Sequence, residues 1–141
     1  MTEFITAALT SAGFSLLFRL KQKYILFASA GGFICWLIYL ATKSFDFGEF
    51  AASFVSTLIV AIFCEVLARL LKAPATIFFT SSIIPLVPGR TFFYAISHAV
   101  SGDFRKAWYF ASQTLAVSVG IAFGIGVVIS VFVLFSKHIK D

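Results

Sequence analysis

Ile83-Ile84-Pro85-Leu86-Val87-Pro88-Gly89-Arg90 interrupts an otherwise apolar region, Pro74 to Val100, that is long enough to cross a bilayer. Each proline removes a backbone donor and collides with the preceding helical turn, and Gly89 permits dihedrals closed to other residues. A helix is therefore expected to break between Pro85 and Gly89. Freed carbonyls and amides cannot face lipid, so the break must be packed in protein or line a wet cavity. Broken membrane helices are where secondary transporters place substrate and ion sites, because half-helix ends carry unpaired polar groups and opposite partial charges. The competing reading is a proline kink that only shapes packing.

Working outward, composition sets the class. The chain has 141 residues, is 60% hydrophobic with a mean hydropathy of +1.01, and carries only 12% charged residues. Soluble domains carry about 25%. An all-α membrane protein forming one integral domain over residues 1–141 is expected, since no polar linker divides the chain. The net charge of +5 raises the question of nucleic acid. Its Lys and Arg residues instead flank apolar spans in short clusters, as topology anchors do, and no nucleic-acid partner is expected. Cys35 and Cys64 fall inside apolar spans without Cys or His neighbours at metal-ligand spacing, and are read as free buried thiols. Met1-Thr2-Glu3 lacks the basic start of a signal peptide, so the first apolar stretch is expected to remain as a membrane helix.

Five spans are expected, at about 2–20, 24–42, 50–71, 74–100 and 107–135, the fourth broken at Pro85–Gly89. The first is short for a crossing of about 20 residues. Ala28, Gly31 and Gly32 in the second, and Gly120, Gly124 and Gly126 in the last, are small positions where another helix can approach closely. Trp36 and Tyr39 suit an interfacial aromatic belt, as do Trp108 and Tyr109. Lys43 to Glu49 and Ser101 to Lys106 read as polar turns. The last span exceeds the hydrocarbon thickness and must tilt or begin at the interface.

With the N-terminus outside, five crossings place Arg19, Lys21, Lys23, Arg69, Lys72, Lys137 and Lys140 in the cytoplasm and Lys43, Arg90, Arg105 and Lys106 outside. That is seven cations against four; four crossings with a re-entrant 74–100 give eight against three. The positive-inside rule does not choose between them.

The segment Ser81-Ser82-Ile83-Ile84-Pro85-Leu86-Val87-Pro88-Gly89, preceded by Pro74-Ala75-Thr76-Ile77-Phe78 and followed by Tyr94, resembles the hallmark of the threonine/serine exporter (ThrE-like) family. The match is to its small membrane subunit, equivalent to the second half of the fused exporters. Glu65-Val66-Leu67-Ala68-Arg69 and a Gly-rich final helix extend the likeness over nearly the whole chain. The resemblance implies five crossings and export of threonine, serine or another small carboxylate, driven by protons across a bacterial inner membrane. Five is odd, so two units joined head to tail would lie in opposite orientations. A second membrane subunit, or another copy of the chain, is therefore expected.

For substrate binding the candidates are Ser81, Ser82, Pro85, Pro88, Gly89, Arg90, Tyr94 and Gln113. A helix resuming after Gly89 puts Arg90, Tyr94 and His98 at i, i+4 and i+8 on one face, where a cation, a phenol and an imidazole could hold a carboxylate and relay a proton. The plainer reading is that Arg90 snorkels, Tyr94 anchors and His98 sits at the opposite interface. Ser81 and Ser82 either contact substrate or satisfy freed carbonyls, and Gln113 either contacts substrate or bonds a neighbouring helix. Glu65 and His98 are the candidates for proton coupling. Glu65 is also spaced i, i+4 from Arg69, which an intrahelical ion pair explains. No enzyme signature, cofactor motif or metal-ligand set is present: Gly120, Gly124 and Gly126 lack the strand and Lys of a phosphate loop, and the two histidines are forty residues apart. A non-transporting membrane scaffold is the rival from another functional class.

Overall fold

A computed structural model of the chain describes residues 2–138; the side chains of 2–4 and 135–138 lie outside that description, as does Lys140. All regular structure among the described residues is helical: α1 (Thr2–Leu17), α2 (Gln22–Ser44), α3 (Glu49–Leu71), α4 (Ala75–Ile83), a 3-10 turn (Ile84–Leu86), α5 (Gly89–Val100) and α6 (Phe104–His138). Among the described residues three helices are long and apolar enough to cross a membrane, Gln22–Ser44, Glu49–Leu71 and Phe104–Leu134, and two shorter apolar helices cover Ile5–Leu17 and Ala75–Leu86. The last helix begins at Phe104 rather than the expected 107, because Asp103 Oδ1 accepts the Lys106 amide at 3.2 Å and starts the helix one turn early. Lys106 also pairs with that carboxylate at 3.0 Å, which holds Asp103 below the ordinary carboxylate range.

Lipid removes the hydrophobic drive between helices, so close packing and hydrogen bonds must hold the bundle together. Glycines do this at the α1–α2, α2–α4 and α3–α6 crossings. Gly32 lies against Ser11 of α1, and Gly31 against Ser82 of α4. A Cβ on Gly120 would come 2.7 Å from the Phe50 carbonyl, and one on Gly124 would come 2.9 Å from Thr57 Cβ. Gly126, expected on the same smooth face, meets nothing. Two buried hydroxyls tie helices directly: Ser56 donates to the Cys35 carbonyl at 2.6 Å and Ser82 to the Ala28 carbonyl at 3.2 Å. Phe78, fully buried, meets Tyr24 edge-on at 5.3 Å. Cys35 and Cys64 are buried free thiols in the same core.

These contacts fix directions. Tyr39 meets Glu49 and Cys35 meets Ser56, so α2 and α3 are antiparallel; Gly120 meets Phe50 and Phe132 lies under Arg69 at 4.9 Å, so α3 and α6 run parallel. The Arg19–Lys21 turn shares a hollow with Thr76, Ile77 and Thr80, which places it at the same end of the bundle as Lys72 and the start of α4. Lys43, Glu49 and Arg90 gather at the other end. Arg19, Lys21 and Lys72 thus stand at one end and Lys43 and Arg90 at the other, while the Lys137 side chain and Lys140, counted with the first group, lie outside the described residues.

At 1.5 Å per residue, α6 is about 52 Å long and α3 about 35 Å. Since Gly120 is level with the first turn of α3, the earlier part of α6 runs past that end and pairs with α5 instead. There Thr114 donates to Thr91 at 2.9 Å and Tyr94 packs on Phe110 at 5.3 Å. Gly102, with φ of +79°, closes the hairpin tip, a backbone conformation that disfavours side chains.

Candidate functional site

The expected break is present, and its chemistry is local. Val87 N–H closes the 3-10 turn onto the Ile84 carbonyl at 3.1 Å. Pro88, at φ −79° and ψ 49°, then forms an inverse γ-turn in which Gly89 N–H donates to the Val87 carbonyl at 2.8 Å. Helix α5 restarts when Phe92 N–H reaches the Pro88 carbonyl at 3.0 Å. Two details differ from expectation. Gly89 does not use its conformational freedom: its φ is not positive and a Cβ there would meet nothing. The turn is carried by Pro88, whose ring already fixes the required φ. The break also lies beside the first turn of α3 rather than at the middle of the bundle, because α4 and the 3-10 turn together are only as long as the stretch from Tyr24 to Trp36 that they pack along.

A cleft of about 290 Å³ opens at this point, lined by Pro85 to Pro88, Arg90 and Thr91, by Trp36 and Tyr39 of α2, by Glu49 of α3, and by Gln113 and Val117 of α6. That volume sits at the lower edge of small-molecule sites, which run from about 300 Å³. A larger hollow of about 550 Å³ lies between α5 and α6, but Phe92, Ile96, Phe104, Trp108 and four alanines make it apolar, with no charged group to orient a polar cargo.

Opposite charges face the smaller cleft. Arg90 is exposed and has no ion-pair partner among the described residues; its guanidinium leans on the Tyr94 ring, 5.6 Å from the centroid. Glu49, the first residue of α3, is held on both oxygens: Lys43 Nζ donates to Oε1 and the Tyr39 hydroxyl donates to Oε2, each at 2.5 Å. Thr91 donates to the Pro88 carbonyl at 3.0 Å while accepting from Thr114, so α6, α5 and the break are tied in one chain of bonds. The Trp36 indole N–H is buried without a partner among the described residues.

Of the expected substrate-binding residues, Pro85, Pro88, Arg90 and Gln113 line this cleft. Gly89 lies between two of them in the chain. Tyr94 stands one turn behind Arg90 and supports it. Gln113 also donates to the Tyr109 hydroxyl at 2.9 Å. Ser81 and Ser82 are fully buried deeper in the bundle; Ser82 bonds α2, and the Ser81 hydroxyl is unpartnered among the described residues. The proton-coupling candidates stand apart. Glu65 pairs with Arg69 at 3.7 Å on α3, and His98 stacks flat on Phe110 at 5.6 Å within the α5–α6 hairpin.

Glu49 and Thr91 were not read as site residues from sequence, and Trp36 and Tyr39 were read only as belt aromatics. The available signal was the short Lys43–Glu49 turn. In an antiparallel helix pair the residues flanking such a turn face each other, which brings Lys43, Tyr39 and Glu49 together beside whatever packs on that end.

No curated protein and no solved structure matches the chain. A family model described as threonine/serine exporter, ThrE, matches residues 3–131, a range that holds the break, the cleft and every charged group around it. That match covers most of the chain, and the chain belongs to the threonine/serine exporter family.

Proposed function

We propose that the chain is one membrane subunit of a proton-coupled secondary transporter that exports threonine, serine or a related small carboxylate across a bacterial inner membrane, and that the cargo sits in the cleft at the helix break. The family supplies the class of transport, amino-acid export. The observation that carries the location is Arg90, a cation without an acidic partner among the described residues, opening onto a cleft of small-cargo size beside an interrupted backbone. A guanidinium is planar and always charged, and its fork matches a carboxylate with two parallel hydrogen bonds. Arg90 is the group that takes the cargo's carboxylate. Thr91 and Gln113 lie within the same walls and suit a side-chain hydroxyl.

Arg90 is exposed, so the cleft is walled by this chain on some sides only. A second membrane subunit of the same family, or a second copy, closes it and contributes a second broken element around the same cavity. The proton gradient drives the cargo outward, with rocking about the break alternating access. Export of labelled L-threonine and L-serine from proteoliposomes under an imposed pH gradient tests this, with the chain alone and with its second subunit. Gradient-dependent export that a protonophore abolishes is the expected result. Absence of flux in both preparations overturns the reading.

A further inference from the structure

The cleft offers more than an anion seat. Glu49 lines the same cleft as Arg90, and its side chain is only about a fifth exposed. Its two present partners use one acceptor position on each oxygen. A carboxylate has about four such positions, so room for a further donor remains. Tyr39 lines the cleft beside it and fixes the plane of the carboxylate. Lys43 does not line the cleft and neutralises Glu49 from behind.

We propose that the cleft is a pincer for a zwitterion, in which Arg90 takes the carboxylate of the cargo and Glu49 takes its α-ammonium in competition with Lys43. This rests on the transport reading and narrows it: the cargo must carry an amino group, and a hydroxy acid of the same shape is rejected. The chemistry follows from one cleft whose lining carries both a cation and an anion. A carboxylate-only ligand would satisfy Arg90 and leave Glu49 as it is. An ammonium gains a charge-assisted bond that a hydroxyl in the same place makes less strongly. The Glu65–Arg69 pair offers no such arrangement, since its partners stand one turn apart on α3 and neither lines the cleft.

The alternative role for Glu49 is purely architectural, with Lys43 and Tyr39 pinning the α2–α3 turn. Equilibrium binding to the full chain in lipid nanodiscs, alone and co-purified with its second subunit, separates the two. Three ligands are compared: L-threonine, 2,3-dihydroxybutyrate with a hydroxyl in place of the ammonium, and threoninol without the carboxylate. Wild-type protein is expected to prefer L-threonine over the dihydroxy acid by about ten-fold or more, the usual worth of a hydrogen bond to a charged group. Glu49→Gln should remove most of that preference while keeping the preference over threoninol; Arg90→Gln should do the reverse. Lys43→Met should tighten L-threonine binding, because it frees Glu49 of its internal competitor. An architectural Glu49 gives no such gain. Undiminished discrimination in Glu49→Gln, or weaker threonine binding in a folded Lys43→Met, overturns the pincer and leaves the transport reading standing. If no ligand binds either wild-type preparation, the transport reading itself falls.

Discussion

The Ser82 hydroxyl donates to the Ala28 carbonyl across the α2–α4 crossing, and its Cβ lies only 2.9 Å from where a side chain on Gly31 would begin. Hydrogen bond and glycine are one device, since the backbone of α2 can come close enough to accept only where no side chain stands. Rotating Ser82 away would relieve its hydroxyl and break the bond, but its Cβ cannot move without the helix. Gly31→Val is therefore expected to destabilise the folded chain by about 2–3 kcal/mol, the upper part of the range for overpacking. In a Ser82→Gly background the same substitution should cost much less. Thermal unfolding of the four proteins in one detergent closes the cycle. Equal costs in both backgrounds would mean that the two residues do not share a crossing.

Gly124 and Gly126 lie on the same helix and read alike in sequence, yet they differ in what they touch. A Cβ on Gly124 meets Thr57 Cβ at 2.9 Å and the Phe54 carbonyl at 3.0 Å, whereas one on Gly126 meets nothing. Gly126→Ala should be neutral or stabilising by up to about 1 kcal/mol through helix propensity. Gly124→Ala gains the same propensity and loses more by wedging α6 off α3, for a net loss of about 1–2 kcal/mol. Matched unfolding curves for the two variants would refute the α3–α6 seam.

Glu65 pairs with Arg69 at 3.7 Å, with side chains 27% and 50% exposed. Such an i, i+4 pair is worth about 0.2–0.5 kcal/mol. Glu65 does not line the cleft. Glu65→Gln should leave both the stability and the pH profile of export nearly unchanged in proteoliposomes. A flattened profile would instead assign Glu65 to the proton path.

What the sequence made legible follows from how local each signal is. Pro85 and Pro88 act on their own turn of backbone, so the break was readable within a residue or two. Apolar length and flanking cations marked α2 and α3, and the small residues marked where helices would cross. The cleft was half visible. Arg90 and Gln113 stood out as polar groups in apolar spans, but Glu49 read as one more polar residue of a turn. Its place in the cleft comes from a contact between elements: α6 runs past the end of α3 and brings Val117, Gln113 and α5 over the first turn, which no window of the chain records. Ser82 shows the converse. Its position just before the break left open whether its hydroxyl meets cargo or a carbonyl, and in the fold it donates to the Ala28 carbonyl against Gly31.

Gly89 separates structure from cycle. In this conformation its φ is not positive and a Cβ would meet nothing, so alanine fits without strain and should leave the unfolding temperature unchanged or slightly raised. Equilibrium binding of L-threonine should also hold, because Arg90 and Glu49 keep their places. Rocking about the break, however, asks this residue to pass through dihedrals that Pro88, with φ locked by its ring, cannot supply. Gly89→Ala is therefore expected to slow turnover several-fold at unchanged affinity, the signature of a hinge residue that absorbs a backbone change away from the bound cargo. Single-cycle export from preloaded proteoliposomes measures the rate directly. Wild-type turnover in Gly89→Ala would move the hinge elsewhere, to the Val87 peptide or the Ser101–Asp103 tip.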